Sequence, residues 1–279
     1  MRKQWRDAAI GGATGLIKKM LAEAQEIDNR DRYGQTALML SAMHGRAAAV
    51  DLLVENGADL NVTAKYGLSA LMLALVNRHA GIAAALVEAG ADTSPRGTGA
   101  PGFAGKTAGD LAREAGFAGL ADAIALDLIA RAFTDRALPT TMTDSKQLSD
   151  AEYEEAMSFD GLRWQEVTFE RIERNSDAVF WFSPEAFRYY LPGLLSAGLK
   201  ENRWDANCYD ALIGMLDRSA KPDYWDDFFL PRWPLLTAAE LSAVAGWVGW
   251  LESAQPDAFH DNSYARVRET LALLMARRG

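Results

Sequence analysis

Apolar positions in the first half of the chain recur in two segments that superimpose with a shift of 33 residues. The segments begin at Asp31 and Ala64. Each has a turn with a glycine, a short helix rich in Ala, Leu and Met, and a second helix that ends in Leu-Val-Glu. Gly57 and Gly90 follow the second helices, where a helix end favours a left-handed residue. The pattern predicts a stack of helical hairpins, an architecture that usually binds proteins.

This repeated unit resembles the ankyrin repeat, whose consensus contains D-x-x-G-x-T-P-L, A-x-x-G and L-L-x-x-G-A-D. The first segment carries that pattern at Asp31, Gly34, Thr36, Leu38, Gly45, Leu52, Leu53, Gly57, Ala58 and Asp59. The second segment departs from it at Ala64, Ser69 and Arg78. The upstream run RDAAIGGATGLIKKML resembles the helix pair of a first repeat, and a unit from Gly105 resembles a terminal repeat. The resemblance implies an ankyrin solenoid of about four units, with atypical units at both ends.

The second half of the chain shows helix signals and little period-two alternation, so we expect the whole protein to be all-α. Residues 135–149 are polar and contain a proline, which is typical of a linker. We therefore predict an ankyrin domain over residues 1–134 and an acidic, aromatic-rich, compact helical domain over residues 150–279.

Helix start signals divide this second domain. Ser149, Ser183 and Thr237 each begin a capping pattern ahead of an apolar run. Pro192 falls inside the helix that begins at Ser183-Pro184, and because proline removes an internal hydrogen bond we expect a kink or break near it. The segment KPDYWDDFFLPRWP has proline near both ends and is predicted to be irregular.

The run AVFWFSPEAFRYYLPGLL and the later W-D-x-x-x-Y-D-A-L-x-x-M-L-D resemble a bacterial helical domain of a family with unassigned function. That resemblance covers about residues 150–275, implies a fold, and brings no catalytic residue with it. The aromatic side chains of the region could line a binding pocket or form a core, and we favour a core with Arg188 and Tyr189 the most exposed. The residues concerned are Phe180, Trp181, Phe182, Phe187, Tyr189 and Tyr190.

Net charge and cysteine content narrow the possible partners and the possible cellular compartments. The chain has a net charge of −9, and residues 131–279 contribute most of it, with 24 acidic and 16 basic side chains against 14 and 13 in the rest. Phosphate backbones repel such a surface, so we expect no nucleic-acid partner. Cys208 is the single cysteine and can form no intramolecular disulfide, which favours a cytoplasmic protein. No apolar run approaches the ~18 residues of a membrane span, so we expect a soluble protein without a membrane partner.

Catalytic chemistry has few candidate residues. The three histidines have no nucleophile or metal-binding partner near them in sequence, and His44 and His79 fall at helix ends of the repeats. The acidic group in PDYWDDFF lacks a glycine-turned loop and is better explained as a solvated face. We expect no catalytic residue, metal or cofactor. The alternative is an enzyme or small-molecule-binding protein whose site uses aromatic rings and carboxylates of the helical domain, with Glu185, Asp226, Asp227 and His260 as candidates.

The ankyrin resemblance also implies where a partner binds, at variable positions on the concave rim beside the turn glycine and at the end of each first helix. In this chain the rim positions are Arg32, Tyr33, Gln35, Met43, His44, Lys65, Tyr66, Leu68, Val76, Asn77 and Phe103. Tyrosines beside Met43, Leu68 and Val76 would make an adhesive surface. We therefore predict a non-enzymatic module that binds a protein, for which a bacterial immunity or antitoxin-type inhibitor of a basic toxin or enzyme is one role. A monomer is the default, and self-assembly through the rim is another possibility.

Overall fold

A computed structural model describes residues 1–99, 102–134, 136–144, 147–259 and 262–277. These residues form helices and turns with one isolated bridge between Gly97 and Ala104, so the all-α prediction is confirmed. The chain divides into two compact units, Met1–Ile124 and Ala125–Gly279, and the division falls within one helix. The linker predicted at residues 135–149 stays a prediction.

Four helix pairs make up the ankyrin region, as the repeat spacing predicts. They are α1 Lys3–Gly11 with α2 Thr14–Ala22, α3 Ala37–Met43 with α4 Ala47–Glu55, α5 Ala70–Val76 with α6 Ala80–Glu88, and α7 Ala108–Glu114 with α8 Ala118–Ala132. Thr36, Ser69 and Thr107 stand at equivalent places ahead of α3, α5 and α7. Each side-chain oxygen accepts a hydrogen bond of 3.3 Å from the backbone N–H three residues on. The same cap therefore starts the first helix of three successive units.

The first helices of these pairs form the centre of the stack. In α5, every residue from Ala70 to Leu75 is buried, and Ala37 to Ala42 are buried in α3. Alanines at several of these positions let neighbouring helices approach closely, and the Leu and Met side chains fill the space between them. The second helices, in contrast, bury one face and leave residues such as Asp51 and Glu88 exposed.

The second unit contains helices of more varied length. They are α9 Asp150–Met157, α10 Phe169–Arg174, α11 Ala178–Trp181, α12 Pro184–Glu201, α13 Asn207–Leu216, α14 Ala238–Ala254 and α15 Ser263–Ala276. Ser149 and Thr237 form the capping boxes predicted for α9 and α14, and Ser183 accepts a hydrogen bond from the Ala186 N–H at the start of α12. Between α13 and α14 the chain forms two short 3-10 turns and no α-helix, as the proline-flanked segment predicts.

Of the kink or break predicted near Pro192, a break is excluded, because α12 continues through the proline. Proline has no N–H to donate to the carbonyl four residues earlier, which belongs to Arg188. The Nη1 of Arg136 donates to that carbonyl at 3.3 Å instead. A side chain from outside the helix thus takes the place of the missing backbone donor.

Large aromatic rings fill the core of the second unit. Phe159 packs edge-on against Phe182 and Tyr190 at centroid distances of 5.2 and 5.6 Å, and Tyr209 does so against Trp247 at 5.3 Å. The hydroxyl of Tyr190 donates to the Phe159 carbonyl at 2.6 Å, so its polar atom is satisfied within the core. Most of the predicted aromatic cluster is therefore core, as we favoured.

Two rings of that cluster differ from the prediction. Tyr189 is only 6% exposed, so the expectation that it lies at the surface is wrong. Its ring packs edge-on against Tyr190 at 4.9 Å. Phe180, by contrast, is 39% exposed and contacts Phe228 at 6.3 Å.

Candidate functional site

Successive turns of the ankyrin unit form a groove of about 190 Å³. We call it the tyrosine groove, and its lining residues are Tyr33, Gln35, Ala64, Lys65, Tyr66, Leu68 and Leu73. Five of these were predicted as rim positions from the sequence. Tyr33 and Tyr66 expose 45% and 39% of their surfaces and lie together in one groove, so their rings form a joint apolar surface.

Backbone hydrogen bonds fix the spacing of the turns. The Lys65 N–H donates to the Tyr33 carbonyl at 3.1 Å, and the Thr98 N–H donates to the Tyr66 carbonyl at 2.7 Å. The turns are thus linked in series, and each tyrosine lies one repeat from the next. The groove is consequently built on a rigid frame, which lowers the entropic cost of binding.

The two turns differ because Ala64 replaces the consensus aspartate. In the first turn, Asp31 Oδ1 accepts hydrogen bonds from the backbone N–H groups of Tyr33 and Gln35 at 2.8 and 3.0 Å. Ala64 offers no such acceptor, and Tyr66 adopts a left-handed conformation with φ of 68°. Such a conformation is strained for an aromatic residue, and backbone strain is concentrated at functional sites.

Each exposed tyrosine carries a stacked cation. The Arg32 guanidinium carbon lies 4.7 Å from the centre of the Tyr33 ring, and Lys65 Nζ lies 4.9 Å from that of Tyr66. Cation–π contact orders both side chains while leaving their charges accessible. The groove therefore offers flat apolar surfaces edged by positive charge, which suits an acidic or mixed protein surface.

The remaining rim positions lie outside the groove or contribute differently. Leu68 is only 7% exposed, so it forms the floor of the groove and does not add the exposed apolar surface we expected. Met43 is half-buried, and its Sδ accepts from Gln35 Nε2 at 3.9 Å. Val76 is exposed at the end of α5. Sequence reasoning missed Leu73 as a groove residue, although it stands one repeat after Leu40.

Polar rim residues near the helix ends have structural partners. His44 Nδ1 lies 3.0 Å from the Leu40 carbonyl, and Asn77 Nδ2 donates to the Leu73 carbonyl at 2.8 Å. Phe103 is half-buried in the segment after α6, and its carbonyl accepts from the Lys106 N–H at 3.0 Å. These three side chains do not line the tyrosine groove.

Two of the carboxylates proposed for an enzymatic site have separate partners, and the third, Asp227, is exposed. Asp226 accepts from the Phe229 N–H at 2.7 Å and pairs with Arg218 at 3.1 Å, while Glu185 accepts from Thr140 Oγ1 at 3.0 Å. His260 lies outside the described residues. Within the described ranges, no group of three or more His, Cys, Asp or Glu side chains has the arrangement of a metal site.

The lone cysteine is buried in α13. Burial raises the pKa of the Cys208 thiol to about 12, so the nucleophilic thiolate is disfavoured at neutral pH. Across the part of the chain that the structure describes, no helix has both the length and the apolar character that crossing a membrane requires.

Helix pairs with consensus caps and linked turns define an ankyrin-repeat protein with an additional helical domain. Residues 6–96 match the family of ankyrin repeats, in three copies. Residues 124–271, more than half of the chain, match the family of unknown function DUF6714, and the chain belongs to that family. Both resemblances inferred from the sequence are therefore confirmed.

Comparison with individual proteins adds less. No curated protein matches the chain. A solved structure of a predatory endopeptidase from Bdellovibrio bacteriovorus in complex with an immunity protein is similar at 25% identity. The similarity covers 46% of this chain and 66% of the matched chain, with a TM-score of 0.40. A likeness at that level carries no functional argument.

Proposed function

We propose that the protein is a non-enzymatic interaction module that binds a protein partner through the concave ankyrin rim, with the tyrosine groove at the centre of the contact. The observation that supports this most strongly is the pair of exposed tyrosines, Tyr33 and Tyr66, each stacked with a cation and set one repeat apart. Tyrosine supplies a large contact area at low entropic cost and is enriched at binding hot spots.

An inhibitor role, of the immunity or antitoxin type, is the finer form of this proposal. The second half of the chain carries eight more acidic than basic side chains, so a basic toxin or enzyme could bind there while the ankyrin groove holds another part of its surface. The lone cysteine favours a cytoplasmic setting for such a complex. If this form is right, raising the salt concentration from 50 to 500 mM should weaken binding to the partner markedly. Salt-insensitive binding to a neutral partner would contradict it.

The experiment for the groove is affinity capture from a native lysate, with mass spectrometry of the recovered proteins. The wild-type chain is compared with the double variant Tyr33→Ala/Tyr66→Ala. A matched control is Tyr153→Ala/Tyr224→Ala, because these tyrosines are 50% and 72% exposed and belong to the second unit.

We expect one protein to be recovered by the wild type and the control and to be lost with the groove variant. The purified partner should then bind the groove variant at least tenfold more weakly, since loss of a hot-spot aromatic typically costs about 2 kcal/mol or more. Equal recovery by all three chains would show that the groove is not the binding site.

A further inference from the structure

A second cavity lies in the DUF6714 unit and has no place in the proposed function. It is a half-open cleft of about 300 Å³, which we call the arginine cleft. Its lining residues are Arg136, Leu138, Arg163, Trp164, Gln165 and Tyr189. This volume is at the lower end of the range for small-molecule sites.

Close packing against α12 holds one wall of the cleft in place. Gly193 lies against the 3-10 turn Trp164–Glu166, and a Cβ atom at this glycine would be only 2.4 Å from the Trp164 carbonyl oxygen. Lys200, farther along α12, donates from Nζ to the Gln165 carbonyl at 3.3 Å. The turn that presents Arg163 and Trp164 is thus fixed by helix packing and by a hydrogen bond.

Arg136 is fixed on the other wall by two partners. It donates to the Arg188 carbonyl that Pro192 leaves unpaired, and it forms an ion pair with Glu240, whose side chain is completely buried. Glu240 also pairs with Arg188 at 3.5 Å. One carboxylate therefore faces two guanidinium groups, and this leaves positive charge beside the cleft.

Arg163 adds a second cation to the cleft itself. It is exposed, and no ion pair to its side chain is found among the described residues. The Glu166 carboxylate accepts from the backbone N–H of Arg163 at 2.8 Å. None of the described residues that line the cleft is acidic, although the second unit as a whole is strongly acidic.

We propose that the arginine cleft binds a small molecule that carries an anionic group, phosphate or carboxylate, beside a flat apolar group. Guanidinium forks match the geometry of both anions and form charge-assisted hydrogen bonds with them. The anion lies between Arg136 and Arg163, while the apolar group contacts Trp164, Tyr189 and the exposed Leu138.

The test is a titration of the full chain with four probes: phenyl phosphate, benzoate, inorganic phosphate and phenol. Binding is measured by calorimetry and by the shift of the Trp164 indole N–H signal in a ¹H–¹⁵N spectrum. Trp164→Phe assigns that signal. Arg163→Gln removes the cleft cation that forms no ion pair with the residues the structure describes, and Arg174→Gln is the matched control, because Arg174 is an exposed arginine of α10 outside the cleft.

We expect phenyl phosphate or benzoate to bind in the millimolar range or tighter and to shift the Trp164 signal, with phenol at least tenfold weaker. Arg163→Gln should weaken the anion about tenfold, as loss of a charge-assisted hydrogen bond predicts, and Arg174→Gln should leave it unchanged. The relative affinities of phenyl phosphate and benzoate identify the anion. Absence of binding at 10 mM for every probe, or equal weakening by both arginine variants, would overturn the proposal.

Discussion

The two units of this protein obtain their stability in different ways. In the ankyrin unit the same arrangement recurs in α3, α5 and α7, where buried apolar side chains surround the helix and a Ser or Thr cap starts it. The DUF6714 unit is not built from sequence repeats. It packs aromatic rings edge-on and places a completely buried carboxylate, Glu240, between two arginines. Local, repeated contacts can be recognised in a sequence, whereas a single buried ion network cannot.

This difference has a consequence for how each unit responds to substitution. In a repeat stack, each unit contacts mainly its neighbours, so damage is shared along the stack. In the second unit one charged residue connects α12, α14 and the segment after α8, and its loss should affect the whole core. Seven of the eight tryptophans follow residue 130, so tryptophan fluorescence reports mainly on the second unit, while far-UV circular dichroism reports on both.

The largest effect is expected from Glu240→Ala. The substitution removes the carboxylate that pairs with both Arg136 and Arg188, and it also removes the acceptor for the Thr237 N–H at the start of α14. Breaking a buried ion pair costs about 3–5 kcal/mol, and we expect about 3 kcal/mol because both arginines keep some solvent contact. Urea unfolding followed by tryptophan fluorescence measures the change.

Two further variants separate charge from other effects at this site. Glu240→Gln keeps an acceptor for the cap but removes the charge, so it should lose most of the same stability. Glu170→Gln disrupts the exposed i,i+4 pair with Arg174 and should change stability by less than about 0.5 kcal/mol. If Glu240→Gln is as stable as the wild type, the ion network does not stabilise the unit.

A smaller effect is expected from Gly193→Ala in α12. A Cβ atom there would lie 2.4 Å from the Trp164 carbonyl oxygen and 2.8 Å from Val167 Cγ2, so the 3-10 turn must move. Overpacking of this kind costs about 2 kcal/mol. Gly214→Ala is the matched control in α13, because no atom lies within 4 Å of its added Cβ. That variant should gain up to about 1 kcal/mol from helix propensity, and equal destabilisation of both would contradict the packing argument.

The next largest effect is expected from alkaline pH, which should lower the stability of the second unit. Burial raises the pKa of Cys208 from 9.0 to about 12, so the unfolded chain releases the thiol proton first. Stability is therefore complete below pH 9 and decreases as the pH rises from about 9 to 12, with a loss of about 1 kcal/mol by pH 9.5. Burial also raises the pKa of Tyr264 from 10.0 to about 12 and raises the pKa values of Tyr190 and Tyr209, so these phenols add a loss that is small at pH 9.5 and grows above pH 10.

Urea unfolding at pH 7.5 and 9.5 measures this loss through tryptophan fluorescence. The Cys208→Ala variant lowers stability at both pH values because it leaves a small void, but the difference between the two pH values should shrink to the smaller part that the buried tyrosines contribute. An unchanged pH difference in the variant would show that another group titrates.

The sequence predicts those features of each unit that depend on residues close together in the chain, and it does not predict those that depend on residues far apart. Residues three or four apart determine the caps, so those at Ser149, Ser183 and Thr237 were predicted from local spacing alone. The burial of Leu68 and the contact of Arg136 with the Arg188 carbonyl were not predicted. The latter joins residues 52 positions apart and leaves no periodic signal. The tyrosine groove was predicted because the repeat superimposes its residues, whereas the arginine cleft depends on tertiary packing.

The smallest effect is expected from Arg78→Gly in the ankyrin unit, which restores a glycine found one repeat earlier. Arg78 occupies the place of Gly45 one repeat later and has a left-handed φ of 60°. Arg78→Gly should remove about 1.5 kcal/mol of backbone strain. Against this, it should lose about 0.5 kcal/mol of cation–π contact with Phe117, 5.8 Å away, and about 0.5 kcal/mol through the greater unfolded-state entropy of glycine. A net gain of about 0.5 kcal/mol should therefore appear in urea unfolding followed by circular dichroism. Asn77→Gly is the control, because Asn77 has an ordinary φ of −92°, so glycine there relieves no strain, adds unfolded-state entropy and removes the hydrogen bond to the Leu73 carbonyl. If both variants lose stability equally, Arg78 stabilises the repeat more than its strained backbone costs.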